Sequence, residues 1–169
     1  VALHDPVGPA SEWPELVRRF VEQAREAGGR AAFYQVRPEA LPVYLDAGLR
    51  VYKLGECALV DLPGFSLQGK PRANLRHGVA RAQREGLSFE VLAPGAVAAV
   101  FDELQAISDA WLNDHSTAEK AFSLGAFQRD YVLGQPVARV RQAGRAVAFA
   151  TLMCTDQKVE ASVDLMRQL

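Results

Sequence analysis

The sequence predicts an α+β protein in which mixed, mostly antiparallel β-sheets are flanked by helices. Residues 158–165 alternate between apolar and polar side chains, which is the pattern of a half-buried strand. The apolar residues between Trp13 and Ala24 recur at the spacing of one helix face. Residues 137–142 and 146–154 are strand-like runs joined by a short turn, which predicts a hairpin. Hairpins of this kind build antiparallel sheets that helices cover on one face.

The composition is that of a globular protein without a strong overall charge. Of the 169 residues, 49% are apolar and 23% are charged, and the net charge is −1. A charge this small excludes attraction of the whole chain to nucleic acid or membrane, so such binding would need a local patch. The sequence contains no apolar run of about 20 residues, which is the length that crosses a bilayer.

The cysteines and histidines indicate no metal site. Cys57 and Cys154 lie in apolar strand-like runs, so we expect two small buried thiols in a reducing setting. Their spacing is not that of zinc ligands. The three histidines are far apart in the sequence.

The first part of the chain is predicted to alternate short strands with helices. Residues 1–3 end a strand, and a proline-containing turn follows them. Ser11 is the predicted N-cap of a helix that stops at Gly28. Residues 31–36 then form a short strand.

A second helix and a hairpin are predicted next. The helix opens at Pro38 and ends before Gly48. Residues 49–54 and 57–62 are predicted to be two strands with a turn between them. A loop follows over residues 63–69.

The second part of the chain is predicted to begin with a basic helix over residues 72–85, which Gly86 ends. A strand over 87–92 follows, and then two helices over 97–112 and 124–133. The hairpin and the strand over 158–165 complete this part.

This order of elements resembles two pieces of one topology, the acyltransferase fold of the Gcn5-related N-acetyltransferases. Residues 1–69 are similar to its back half, residues 70–86 form a basic connecting helix, and residues 87–169 are similar to the front half of a second, truncated copy. The resemblance therefore implies tandem folds, with this chain across their junction. The chain begins without methionine and ends without a turn signal, so we interpret it as an internal fragment of a longer protein.

A set of short motifs points to one family. In sequence order they are residues 5–9, 32–36, 48–49, 53–56, 74–76, 86–87, 111–112, 119–120, 122–125 and 164–167. Together they resemble the cytosolic domain of the aminoacyl-phosphatidylglycerol synthases, also called multiple peptide resistance factors. The chain departs from that pattern at His4, where the family usually has glycine, and at Gln168, where it often has an aromatic residue.

The resemblance implies a function and a location. Members of this family combine an amino-terminal membrane domain with a catalytic part at the cytoplasmic face of the bacterial inner membrane. They transfer lysine or alanine from aminoacyl-tRNA to a glycerol hydroxyl of phosphatidylglycerol, and the product weakens the binding of cationic peptides. The implied partners are therefore aminoacyl-tRNA, phosphatidylglycerol and the membrane domain of the same protein, and no cofactor is implied. The transferred amino acid is left open between lysine and alanine.

Three candidate site residues lie near the end of the chain. The alternation in residues 158–165 places Glu160 and Asp164 on one strand face, where unpaired charge is too costly to fill a core. Asp164 and Arg167 match the Asp-Leu-Met-Arg signature of the resembled family. Asp164 is a candidate to receive the ammonium group of the amino acid or to act as a base. Arg167 is a candidate to bind phosphate through its forked donors, and the alternative for both is a surface ion pair.

Five further candidates lie earlier in the chain. Lys53 matches a family position and is a candidate catalytic contact to phosphate or to the oxyanion, with Glu56 beside it as a substrate-binding candidate. Arg72, Asn74 and Arg76 belong to the basic helix, which either binds phosphate or is a solvated connector.

Two other functions stay open at this stage. One is an acetyltransferase-like enzyme that uses an acyl thioester such as acyl-coenzyme A, although the usual pyrophosphate-binding pattern is absent near Asp5. The other is a non-catalytic module that docks tRNA or an anionic membrane through the basic helix.

Overall fold

The computed structural model describes residues 1–119 and 121–169. Within them the chain forms two compact units, Val1–Val60 and Asp61–Leu169. The motif residue Lys120 lies outside the described residues. The division into 1–69, 70–86 and 87–169 stays a prediction.

The first unit contains a small parallel sheet and two helices. Strand β1 (Ala2–Leu3) pairs in parallel with β2 (Phe33–Tyr34), and helices α1 (Trp13–Glu26) and α2 (Leu41–Asp46) follow the two strands. The prediction of Ser11 as N-cap is wrong. A 3-10 turn precedes α1, so Glu12 takes the cap position, and it makes no side-chain capping bond.

The core of the first unit lies between its helices. Val17 of α1 and Tyr44 of α2 are buried there with Ala40, and the ring of Phe33 packs 4.9 Å from the ring of Tyr44. Burial of these side chains supplies the main stabilisation of the unit.

The two strands predicted over 49–54 and 57–62 are wrong. These residues have no regular secondary structure, and Tyr52, Leu54 and Leu59 are 73%, 79% and 87% exposed. A strand needs a neighbour for its backbone hydrogen bonds, and among the described residues no ladder reaches this segment. Cys57 is therefore exposed, as is Cys154, so the prediction of two buried thiols is also wrong.

The second unit is built on a four-stranded antiparallel sheet in the order β3-β4-β5-β6. The strands are β3 (Leu87–Leu92), β4 (Val137–Gln142), β5 (Arg145–Cys154) and β6 (Ala161–Gln168). Helix α3 (Ala73–Arg84) precedes the sheet and ends at Gly86, whose φ of 71° suits glycine. The structure confirms the basic helix, the strand over 87–92 and the hairpin.

Three helices cover one face of this sheet. Helix α4 (Pro94–Val97) passes through a 3-10 turn into α5 (Phe101–Asp114), and α6 (Arg129–Leu133) follows later. The helix predicted over 124–133 is too long, because the N–H groups of Gly125 and Phe127 bond to side chains instead of helix carbonyls. In the described part of the chain, every helix is too short or too polar to cross a bilayer.

A β-bulge in β5–β6 breaks the predicted alternation. Pairing shifts register between Ala150 and Leu152, and the buried Thr151 accepts a hydrogen bond from Leu165 N–H at 3.0 Å. The strand predicted over 158–165 instead covers Ala161–Gln168, because pairing with β5 starts at Ala161 opposite Cys154. Leu165 joins the core, which contains the apolar residues Val97, Phe101, Leu104, Ile107, Val132, Val137, Ala146 and Phe149.

Candidate active site

Asp164 is held by two donors, one from the loop before α6 and one from α6 itself. Gly125 N–H lies 3.1 Å from both carboxylate oxygens, and the hydroxyl of Tyr131 donates to Oδ2. The side chain is half-buried at the bulge, where the strand turns it towards the segment between α5 and α6. The orientation of this carboxylate is therefore fixed before any ligand arrives.

At position 125 only glycine fits without a shift of its neighbours. A Cβ there would lie 2.5 Å from Asp164 Oδ2 and would overlap the Tyr131 ring. Close approach of a backbone N–H to a side chain is a common reason for glycine. The tight packing explains why the family motif over 122–125 ends in glycine in this chain.

Arg167 is buried against a ring and a carboxylate. Its guanidinium carbon lies 4.1 Å from the centroid of the Trp111 ring, and Nη2 donates to Glu119 Oε2 at 3.1 Å. The residue is 8% exposed, and its Nε has no hydrogen-bond partner among the described residues. The ring stacking and the bond to Glu119 hold the planar guanidinium in one orientation, while its Nε–H stays unpaired among the described residues.

Glu119 links Arg167 to the loop that holds Asp164. Its Oε2 pairs with Arg167 and its Oε1 accepts from Phe127 N–H at 3.2 Å. Asp164 and Arg167 bond to different partners on the same stretch of chain. The stretch between Glu119 and Tyr131 is therefore tied to β6 at two points.

Tyr131 remains a proton donor over a wide pH range. Burial raises the pKa of its phenol, and the hydrogen bond to Asp164 raises that pKa further. The neutral phenol is the form that donates to a carboxylate, so this bond is kept until the pH exceeds the raised pKa.

Asp164, Arg167, Glu119, Gly125 and Tyr131 are called the cluster from here on. The other second-unit candidates lie apart from this cluster. Glu160 is exposed just before β6, and Asn74 is exposed on α3. Arg72 lies over the Phe65 ring at 5.1 Å, while Arg76 donates to the carbonyls of the preceding loop, at 2.7 Å for Gly69. These contacts order the loop before α3.

Lys53 and Glu56 pair with each other in the first unit. Their charged atoms are 2.6 Å apart, and the side chains are 74% and 81% exposed. An ion pair this exposed contributes less than about 1 kcal/mol to stability. Both groups are accessible to solvent and to a ligand.

The sequence prediction left three members of the cluster without roles. Glu119 and Gly125 stand inside recognised motifs, which was the available signal, whereas nothing in the pattern singled out Tyr131. Trp111 is half-buried, and it contacts the guanidinium of Arg167 and the ring of His115, which stacks on it at 4.2 Å. Across the described residues, no three His, Cys, Asp or Glu side chains are grouped to bind a metal ion.

Comparison with known proteins shows which family the chain belongs to. The model of the phosphatidylglycerol lysyltransferase C-terminal family matches residues 1–169. The chain belongs to this family. The family predicted from the motifs is thereby confirmed, and the α+β architecture with an antiparallel sheet flanked by helices agrees with it.

Named relatives and solved structures of the family cover nearly the whole chain. A phosphatidylglycerol lysyltransferase of Bacillus subtilis is 42% identical over 99% of this chain, which spans 19% of that relative. One of Staphylococcus aureus strain COL is 35% identical over 100% of this chain, or 20% of its own length. The chain therefore spans about a fifth of the curated relatives that it matches.

Two solved structures share the fold closely. One is titled as the C-terminal domain of a lysylphosphatidylglycerol synthetase from Agrobacterium fabrum, with 54% identity and a TM-score of 0.89. The other is L-PGS from Bacillus licheniformis, with 40% identity and a TM-score of 0.82. Each covers 98% of this chain, which spans 52% and 51% of those chains.

Proposed function

We propose that this chain is part of an enzyme that transfers an aminoacyl group from aminoacyl-tRNA to a glycerol hydroxyl of phosphatidylglycerol. Family membership and the names of the relatives support transfer to this lipid. The observation that carries the proposal is the pre-oriented carboxylate of Asp164, bonded by Gly125 and Tyr131 within a family signature.

The reaction exchanges one ester for another. The glycerol oxygen bonds to the aminoacyl carbonyl carbon, and the bond from that carbon to the tRNA oxygen breaks. The proton of the attacking hydroxyl ends on the released tRNA hydroxyl. The enzyme must therefore orient both partners, assist this proton transfer and stabilise the oxyanion, without a covalent intermediate.

Asp164 is proposed to receive the ammonium group of the transferred amino acid. A carboxylate has about four acceptor positions, and the bonds from Gly125 and Tyr131 leave some of them open. A half-buried, fixed carboxylate binds an ammonium ion with a defined direction. Such binding would place the aminoacyl carbonyl at a constant distance from β6.

Arg167 is proposed to act mainly as a positioning residue. It is 8% exposed and engaged with Trp111 and Glu119, so contact with a phosphate would need the Glu119 pair to open. Through Glu119 and Phe127 N–H it orders the loop that carries Gly125. The accessible Lys53 remains the proposed contact to phosphate or oxyanion. Glu56, Glu160, Arg72, Asn74 and Arg76 remain proposed substrate contacts.

The wider setting is proposed on the same basis. The chain would belong to tandem acyltransferase folds at the cytoplasmic face of the bacterial inner membrane, joined to an amino-terminal membrane domain. The transferred group would be lysine or alanine, and the product would lower the negative surface charge that cationic antimicrobial peptides need.

The test is label transfer by the full-length protein. Phosphatidylglycerol micelles are mixed with radiolabelled lysyl-tRNA or alanyl-tRNA, and label is followed into the lipid phase. We expect transfer from one of the two, and a loss of about a hundredfold in Asp164→Asn, which keeps the shape but removes the charge. Asp109→Asn, on the exposed side of α5, is the matched control and should transfer normally.

Two results would count against the proposal. Folded wild-type protein that transfers neither label would contradict the reaction itself. Normal transfer by Asp164→Asn would leave the reaction standing and remove Asp164 from the site.

A further inference from the structure

The first unit contains an arginine-lined pocket that the proposed chemistry does not use. Arg25, Arg30 and Arg50 line a cavity of about 380 Å³. They come from the last turn of α1, from the loop that follows it and from the segment after α2. Val21 and Leu49, which are buried and half-buried, form the apolar part of the lining.

The three guanidinium groups of this pocket form no ion pair in the described residues. No ion pair or hydrogen bond there involves them, whereas Arg18 and Arg37 of the same unit each pair with a carboxylate. Like charges around one cavity repel each other. A bound anion would remove that repulsion.

The backbone around the pocket does not cancel its charge. Helices α1 and α2 both end near the lining, at Ala27 and Ala47, and a helix C-terminus carries about half a negative charge. Two such ends supply at most about −1 against three full positive charges. No carboxylate of the described residues lines the cavity. The pocket is therefore a net positive concave surface.

We infer that this pocket binds phosphodiester groups of RNA. The guanidinium fork matches phosphate oxygens, and three arginines from separate segments suit a backbone that presents successive phosphates. Among the described residues, the cavity lining presents no large exposed apolar side chain that could enter a bilayer, which favours RNA over a surface that inserts into the membrane. The inference rests on the proposed function only in naming this RNA as the aminoacyl-tRNA.

The experiment compares two double variants of the full-length protein. Binding of fluorescein-labelled, unacylated tRNA is measured by anisotropy over a series of KCl concentrations. Arg30→Gln with Arg50→Gln removes two charges from the pocket, and Arg18→Gln with Arg19→Gln removes two from the exposed face of α1. Circular dichroism checks that both variants are folded.

We expect only the pocket variant to lose phosphate contacts. Log affinity falls linearly with log salt concentration. The magnitude of this negative slope should decrease by about two in the pocket variant and stay near the wild-type value in the control. An equal fall in both would mean that overall charge decides binding, which overturns the inference. Binding to phosphatidylglycerol vesicles is measured for the same variants. If the pocket variant lost vesicle binding but kept tRNA binding, the pocket would be assigned to the membrane, and this result too would overturn the inference.

Failure of this inference can be told from failure of the proposed function. Wild-type protein that binds tRNA through the pocket but transfers no label contradicts the proposed function alone. Normal label transfer by the pocket variant, with an unchanged KM for aminoacyl-tRNA, contradicts the pocket assignment alone.

Discussion

Gly125 N–H donates to both carboxylate oxygens of Asp164, at 3.1 Å each, although the two residues are 39 positions apart in the chain. The backbone of the loop is thus bonded directly to a side chain of strand β6. Because the approach is so close, any side chain at Gly125 would push Tyr131 and Asp164 apart.

Gly125→Ala should therefore abolish most of the transfer activity. The added Cβ meets Asp164 Oδ2 at 2.5 Å, and overpacking of this kind costs about 1–3 kcal/mol. Thermal unfolding and label transfer measure the two effects. Gly78→Ala is the control, because it lies inside α3 with open space around it and should stabilise the protein by about 1 kcal/mol. Normal activity of Gly125→Ala would show that the contact is dispensable.

Tyr131→Phe removes one donor to Asp164 and should lower transfer about tenfold. A hydrogen bond to a charged group is worth about 1.5–3 kcal/mol, and here it also fixes the carboxylate. Since the pKa of Tyr131 is raised above its ordinary 10.0, the wild type should keep this bond well into the alkaline range and lose it above the raised pKa.

The pH profile separates this role from a purely structural one. Transfer should fall in both proteins as the ammonium group of the amino acid loses its proton, and only the wild type should show a second fall at higher pH as Tyr131 ionises. Tyr52→Phe, which changes a 73% exposed tyrosine, should match the wild type. Identical alkaline profiles for wild type and Tyr131→Phe would exclude the proposed bond from catalysis.

Arg167→Lys should reduce kcat about tenfold and change KM little. Lysine keeps the charge but loses the planar stacking on Trp111 and the directed bond to Glu119, so the loop that carries Gly125 becomes less ordered. Alanine is a poorer test, because it leaves the half-buried Glu119 without its partner.

The control for Arg167→Lys has the same chemistry elsewhere. Arg129 is an exposed residue of α6 whose guanidinium lies 4.5 Å from the Phe101 ring centroid, and Arg129→Lys should cost less than about 1 kcal/mol of stability with normal turnover. If both lysine variants lost equal turnover, the effect could not be assigned to the Glu119 link.

Tyr44→Phe should flatten the alkaline loss of stability. Burial first, and then the bond to Asp5, raise the pKa of Tyr44 above its ordinary 10.0, so the folded state holds this proton after the unfolded state has lost it. The free energy of unfolding should fall above pH 10.0 by about 1.4 kcal/mol per pH unit for this group. Urea unfolding at neutral and alkaline pH measures it.

The neutral-pH comparison completes this test. There Tyr44→Phe should be less stable than wild type by about 1–3 kcal/mol, because Asp5 loses a buried donor and keeps Arg37. Parallel pH curves for the two proteins would show that Tyr44 does not titrate differently in the folded state.

Local signals made much of the second unit predictable. Gly86 ends α3, the turn at Gly144 joins β4 to β5, and the alternation of apolar residues marks the strands. Each signal acts over a few residues and agrees with the tertiary structure. The prediction failed over residues 49–62, where the pattern suits strands but no neighbour among the described residues pairs with them.

Long-range contacts explain the remaining differences. The loop before α6 reads as helix, yet Asp164 and Glu119 take the N–H groups that a helix would use. The bulge beside Thr151 depends on one side-chain bond to Leu165. Asp164 and Arg167 could be singled out as candidates from the signature, whereas Tyr131 joins them only through the fold.

The carboxylates of Asp164 and Glu119 shield two backbone protons, those of Gly125 and Phe127. Outside helices and sheets, the hydrogen of such an amide exchanges with solvent once its hydrogen bond to the acceptor breaks. The deuterium uptake of these two amides therefore reports whether Asp164 and Glu119 still accept their hydrogen bonds, without a dye or a labelled substrate. A ligand that breaks the bond between Asp164 and Gly125 should speed deuterium uptake at Gly125 and leave uptake at Phe127 unchanged. The two amides of this loop therefore report whether the site is occupied.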